Sequence, residues 1–284
     1  MRKICFYHAG CPDGFGAAWA AWRAWGEAAT YVPRGHDDAL DPRDFQGALV
    51  VFADIAPPPE SAEPLAERAE RLVVLDHHVS ALGRYTADPD LLEVLRAGGH
   101  EIVFDLERSG AVLAWRHFHP GREVPDLLRY IEDQDLWRWK LPATREVNAA
   151  IGAVPRTFAC WDELAGADAE TLAAEGRPIV RAQQREIERA LHHAHPVQVG
   201  DLRLEAVNAR EQRSLVGHEL ASRALFGTPC GVVYRLVGRR VDVSIYSVGE
   251  FDVAALAGRF GGGGHRNAAG FHLPLQDWLD RFVV

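Results

Sequence analysis

Histidines and aspartates stand at a few sharply placed positions in the first half of this sequence: His8 and Asp13, Asp54, the triplet Asp76-His77-His78, and Asp133 with Asp135. Carboxylates and imidazoles together suit manganese, and magnesium takes the oxygens. A hydrolytic centre needs several carboxylates, one or two imidazoles and an open position for water. His8 and Asp13 bracket a turn containing Gly10 and Pro12, so both side chains can face one ion. Asp54 is the lone acid after the apolar run LVVFA, where a helix N-cap is the competing use for it. Asp76, His77 and His78 follow LVVL directly, more polar residues than mere solvation of a strand end requires. An imidazole can bind metal while a carboxylate orients its other nitrogen, and His78 could instead donate to a substrate phosphate. Asp133 and Asp135, spaced by two, lie on different helix faces, so only one is expected to reach an ion.

A second signal comes near the end, in GGGGHRNAAG over Gly261–Gly270. Successive glycines let backbone amides approach and cradle a phosphate. Gly262, Gly263 and Gly264 are the candidate cradle, His265 and Arg266 the added positive donors, and Ala268, Ala269 and Gly270 a thin wall. A flexible linker is the plainer use of such glycines. The β pattern before the segment, with Phe271 and Leu273 following as a strand, argues against it.

The elements that position these groups alternate. Ile4–Tyr7, Leu49–Ala53 and Leu72–Leu75 read as short buried strands, and Gly14–Trp25 and Ala62–Ala69 as helices. Strands alternating with helices imply parallel βαβ units and an α/β fold. The three strands run into His8, Asp54 and Asp76 respectively, and ligands of open α/β sheets bind outside the carboxyl ends of the strands. The polar clusters are therefore expected to converge on one crevice. Ser109 reads as the N-cap of the helix SGAVLAWRHF. Residues 168–195 read as a polar helical connector that Gly176 and Pro178 should break or kink. Beyond it, strands at Val197–Val199 and Leu202–Val207, a helix over Arg213–Phe226 and a hairpin about Gly238 form a second texture. The expected organisation is a catalytic domain over 1–167, a linker helix over 168–195 and a smaller α/β domain over 196–284.

The 284 residues, 48% of them hydrophobic, can bury a sizeable core. A net charge of −9 argues against a basic groove for long duplex DNA, yet allows small anionic substrates because a bound cation reverses the local sign. Cys5, Cys11, Cys160 and Cys230 form no CxxC pair and read as reduced thiols, with Cys11 near the chemistry without a part in it. The lack of a signal-like start or a long apolar run leads to the expectation of a cytoplasmic protein with no membrane partner.

Asp76-His77-His78, with His8, Asp13, Asp54 and the glycine-rich segment in this order, resembles the DHH–DHHA1 phosphoesterase family over nearly the whole chain. The resemblance implies a parallel-sheet DHH domain, a linker helix, a smaller DHHA1 domain, and substrate held between the two domains. It implies manganese, with magnesium as the alternative, and usually two ions. One would be held by His8, Asp13 and Asp54, the other by Asp54, His77 and Asp133, with Asp54 bridging and Asp133 preferred to Asp135. Asp76 would orient the neighbouring imidazole, His78 would face the phosphate, and Gly263, Gly264 and His265 would hold the nucleotide. The expected activity is hydrolysis of phosphate esters in small nucleotides or short single-stranded oligonucleotides by metal-activated water, with room for a homodimer. A pyrophosphatase or polyphosphatase and a non-catalytic nucleotide sensor are the alternatives. Two positions depart from the pattern. Phe15 stands where many members carry a second aspartate, with His36, Asp37 and Asp38 as nearby acids or imidazoles, and Tyr246 stands where relatives often carry an arginine.

Overall fold

The computed structural model describes residues 1–35 and 38–284, so His36 and Asp37 lie outside the described residues. The chain divides into two compact units, Met1–Val180 and Arg181–Val284.

The first unit runs β1 (Lys3–His8), α1 (Pro12–Trp25), β2 (Thr30–Arg34), β3 (Leu49–Ala53), α2 (Pro59–Arg68), β4 (Arg71–Asp76), α3 (Val79–Thr86), α4 (Pro89–Ala97) and β5 (Glu101–Phe104). It continues through α5 (Gly110–Phe118), α6 (Asp126–Asp135), α7 (Thr144–Ala153) and α8 (Phe158–Gly166), and it ends within α9 (Ala169–Leu191). The five strands form a parallel sheet in the order β2-β1-β3-β4-β5. Both faces are buried, and successive residues alternate between them. Cys5, Val51, Val73 and Leu75 join the core beneath α1, α5 and α6, while Ile4, Phe6, Val50, Phe52, Leu72 and Val74 join the core beneath α2, α3 and α4. Strand order reverses between β1 and β3, and at such a switch point the crevice at the strand ends opens for a ligand. His8, Asp54 and Asp76 stand at that end.

The α1–α5 packing on one side of this crevice is close because its residues are small. Ala17, Ala20 and Ala21 of α1 and Ala111 and Ala114 of α5 are fully buried together. A Cβ on Gly16 would lie 2.9 Å from that of Ala111. Ser109 caps α5 as expected, accepting from the Val112 amide. A break at Gly176 and Pro178 does not occur, for α9 is continuous through both. Gly176 instead serves close packing: a Cβ there would sit 1.8 Å from the Glu146 carbonyl oxygen of α7.

The second unit contains β6 (His195–Val199), β7 (Leu202–Asn208), α10 (Arg213–Arg223), β8 (Cys230–Val237), β9 (Arg240–Ser247), α11 (Val253–Gly258), β10 (Gly263–His265), β11 (Ala268–Pro274) and α12 (Leu275–Arg281). Its mixed six-stranded sheet has the order β10-β11-β9-β8-β7-β6. The β7–β8 pair is parallel and the others are antiparallel. The hairpin about Gly238 is β8–β9, turning where that glycine has φ +60°. The α/β class expected from the alternation of patterns is therefore the class observed. Among the described residues, no helix is long and apolar enough to cross a membrane.

Candidate metal centre

The chain leaves β1 at His8, turns through Gly10, and starts α1 with Cys11 as N-cap and Pro12 in the first turn. Asp13, in that first turn, is buried, and Gly110 and Ala111 at the start of α5 donate their amides to it at 2.7 and 3.1 Å. Otherwise unpartnered amides at a helix start favour an anion there. Asp54 follows β3 with a left-handed φ of +61°, a conformation aspartate tolerates better than most residues. Its amide donates to the Leu75 carbonyl, which pins it beside the end of β4. Gly110 leaves it room: a Cβ there would lie 2.3 Å from the Asp54 Cβ.

Around His77 the carboxylates converge. Its Nε2 lies 3.0 Å from Asp54 Oδ1, 3.5 Å from Asp13 Oδ2 and 3.6 Å from Asp135 Oδ2. The other oxygen of Asp54, Oδ2, faces away to His8 Nδ1 at 3.5 Å and Cys11 Sγ at 3.4 Å. Asp54 thus reaches two donor groups at once: Asp13, His77 and Asp135 on one side, His8 and His78 on the other. Asp76 Oδ1 accepts from the His78 ring Nδ1 at 2.7 Å and from the His77 amide at 2.8 Å. With Nδ1 held there, Nε2 is the His78 atom that could meet a metal or a phosphate.

The electrostatics mark a place suited to a cation. Burial, followed by the charges of Asp54 and Asp135, pushes the Asp13 carboxyl well above the usual carboxylate range. Burial also raises Asp135, with Asp54 adding to the shift against the lowering effect of His77. Burial opposes the charge on Asp54 too, but hydrogen bonds from His77 and His8 outweigh it and hold that carboxyl low. For His77, burial works against protonation and the hydrogen bond and charge of Asp54 overcome it, so the imidazole is raised to about 10. Among the described residues, no lysine or arginine pairs with Asp13, Asp54 or Asp135; their ionic partners are imidazoles. Buried like charges of this kind need a counter-ion. Carboxylate oxygens with a minority of imidazoles are a donor set that manganese accepts. The residues present therefore fit the metal that the motifs led us to expect.

Several placements differ from the sequence expectations. Asp133 does not face the cluster. Its carboxylate is taken up by the Lys140 and Leu141 amides at 2.9 and 3.0 Å and by the Thr144 hydroxyl at 2.5 Å, fastening the turn into α7. Asp135, two residues on, is the acid that α6 brings to His77. Asp13 groups with His77 and Asp135, whereas His8 groups with Asp54 and His78. Phe15 is a core residue, stacked on Phe158 at 5.3 Å and set edge-on to Trp161 at 4.8 Å, so its position cannot offer a ligand. Cys11, expected near the chemistry without a part in it, touches both His8 and Asp54 with its thiol. Burial, then the charges of Asp54 and Asp13, hold that thiol well above its ordinary pKa. The available signal for Cys11 was its spacing, two residues before Asp13 on a strand-to-helix turn.

In the second unit, Gly263–His265 form β10, paired with Ala268–Gly270 of β11. Close backbone approach is what the glycines permit: a Cβ on Gly262 would lie 2.1 Å from the Gly270 carbonyl oxygen, and one on Gly264 2.5 Å from that of Ala268. Arg266, expected as an anion donor, pairs with the Glu250 carboxylate at 2.5 Å. Tyr246 packs against Gly217 of α10, and Arg213 at the start of α10 donates to Ser244 on the same strand, a neighbouring cation that the motifs do not point to.

No protein-family profile matches the chain. It is 26% identical over 288 residues to "Uncharacterized protein R106" of Acanthamoeba polyphaga mimivirus, an alignment covering 94% of this chain and 66% of the viral protein. The chain thus spans just under two thirds of that relative's length. Among solved structures it is similar to a pGpG-specific phosphodiesterase, PggH, from Vibrio cholerae, at 12% identity and a TM-score of 0.49, with 99% of this chain and 96% of that one covered. It is also similar to an exopolyphosphatase-related protein from Bacteroides fragilis, at 14% identity and a TM-score of 0.51, with 94% and 85% covered. The chain shares its fold with the Bacteroides protein, and that fold is the two-part α/β architecture the DHH–DHHA1 resemblance implied.

Proposed function

We propose that the protein is a DHH-type phosphoesterase that uses a divalent cation, manganese or magnesium, to hydrolyse phosphate ester bonds in small nucleotides or short oligonucleotides. The observation that carries this reading is the convergence of Asp13, Asp54, Asp135, His8 and His77 at the carboxyl ends of β1, β3 and β4, with Asp54 facing two donor groups at once. His8 and Asp54 would hold one cation, Asp13, His77 and Asp135 the other, and Asp54 would bridge them. A bound cation of this class lowers the pKa of a water and neutralises charge on phosphoryl oxygens. Asp76 fixes the His78 ring through Nδ1, and in its protonated form the imidazole would present a proton at Nε2 to a phosphate oxygen or a leaving group. The α5 amides fix Asp13 in place, and such positioning is most of what phosphoryl transfer asks of a protein. Gly262, Gly263, Gly264 and His265 remain the proposed contacts for the nucleotide, with Arg266 restrained by Glu250.

The test is a substrate panel run on protein stripped with chelator and reloaded with manganese. The panel holds a short oligonucleotide, the dinucleotide pApA, 3′-phosphoadenosine 5′-phosphate and pyrophosphate. Metal-dependent release of mononucleotide or phosphate is expected, and loss of it in His77→Ala and Asp54→Ala proteins that still melt cooperatively. Full activity in both variants would remove the assignment. A second reading, polyphosphate or pyrophosphate hydrolysis, draws on the fold shared with the exopolyphosphatase-related protein. Turnover confined to the inorganic substrates would favour it.

A further inference from the structure

We infer that Cys11 is a ligand of the proposed centre, and that its thiolate, His8 and Asp54 form one face of a position suited to a borderline or soft ion such as zinc, cobalt(II) or iron(II). This inference rests on the phosphoesterase reading only in taking the cluster to be a metal site.

Three atoms from three parts of the chain form a nearly equilateral triangle. Cys11 Sγ lies 3.4 Å from Asp54 Oδ2 and 3.6 Å from His8 Nδ1, and the latter two are 3.5 Å apart. Ligands at about 2.3 Å for thiolate sulfur and 2.0–2.2 Å for nitrogen and oxygen around a tetrahedral ion stand roughly 3.4–3.6 Å from one another. The observed triangle therefore has the size of one face of such a tetrahedron, with the fourth corner for His78, water or a substrate oxygen.

The surrounding chain holds the sulfur there. Cys11 is the N-cap of α1, and Sγ accepts the Gly14 amide at 3.2 Å. A Cβ on Gly14 would lie 2.2 Å from the His8 carbonyl oxygen, so only glycine lets the helix start this close to the end of β1. Phe15, the position from which an acid was expected, is committed to the core, and the thiol supplies a donor from the same turn. The two sides of Asp54 then differ in kind. The Asp13, His77 and Asp135 side is rich in oxygen and suits manganese or magnesium, while the Cys11 and His8 side, with sulfur and nitrogen, selects softer ions.

The test is optical titration of the full chain with cobalt(II), with bound metal counted by elemental analysis. Wild type and Cys160→Ser should both show the near-ultraviolet sulfur-to-cobalt charge-transfer band. Cys11→Ser keeps a good N-cap residue and should still bind cobalt while losing the band. A band of unchanged intensity in Cys11→Ser overturns the inference. Cobalt bound to wild type without the band overturns it too, leaves Cys11 a hydrogen-bonded thiol, and keeps the phosphoesterase reading intact. Wild type that binds no cobalt, manganese or zinc removes both. Should Cys11→Ser fail to fold, X-ray absorption on zinc-loaded wild type decides: a sulfur neighbour at about 2.3 Å supports the inference, and a shell of nitrogen and oxygen alone refutes it.

Discussion

Gly110→Ala should disable the proposed centre without replacing any of its ligands. The new Cβ would lie 2.3 Å from the Asp54 Cβ, 2.6 Å from its Cα and 2.6 Å from Oδ1. Carbon atoms settle at about 3.5–4.0 Å, so either Asp54 or the first turn of α5 must retreat by more than about 1.2 Å. Asp54 is tied to the Leu75 carbonyl and flanked by the fully buried Ala53 and Ile55. The helix start yields more readily, and as it moves the Gly110 and Ala111 amides withdraw from Asp13. Overpacking of this kind costs about 1–3 kcal/mol, and roughly 2–4 °C of melting temperature per kcal/mol for a unit of this size. A misplacement of about 1 Å at reacting groups costs about 10²-fold in rate. The assay pairs thermal melts with bound manganese and hydrolysis for Gly110→Ala and a control, Gly152→Ala. Gly152 lies in α7 with open space where its Cβ would go, and that change should be neutral or stabilise by up to about 1 kcal/mol. Gly110→Ala protein with wild-type melting, metal content and rate would refute the reasoning.

Asp133→Asn should lower stability by about 1–3 kcal/mol, because one of two satisfied oxygens becomes an NH2 group facing donors, yet leave metal content unchanged. Asp135→Asn should do the reverse, and thermal melts with metal analysis compare the two; loss of metal from the Asp133 variant alone would contradict the geometry. Manganese at about 100 times its dissociation constant should stabilise the fold by about 2.7 kcal/mol, and chelator should abolish the gain; melts that ignore both additions would count against a metal site. His119 donates from Nε2 to the Ala20 carbonyl, and burial is the main cause that lowers its pKa below the unfolded value of about 6.5. Its contribution is complete above that value and is lost as pH falls through the lower folded one. The acid-side loss of stability should therefore be shallower in His119→Gln, and parallel slopes would show that another group is responsible.

Local pattern alone settled a good deal here. Apolar runs ending in His8, Asp54 and Asp76 are short buried strands because only a sheet covered on both faces takes such runs, and parallel strands bring their carboxyl ends to one side. That suffices to foresee a crevice rich in imidazole and carboxylate. Which acid of α6 enters it depends on how that helix is rolled against its neighbours, and two residues change the direction by about 200°. Hence Asp135 reaches His77 while Asp133 turns to the Lys140–Thr144 loop. The partition of ligands about Asp54, the retreat of Phe15 into the core and the approach of Cys11 to His8 and Asp54 are likewise products of packing. Residue order carries periodicity and turn chemistry, whereas distances of a few ångströms between residues as far apart as 11 and 54 exist only once α1, α5 and the sheet have closed on one another.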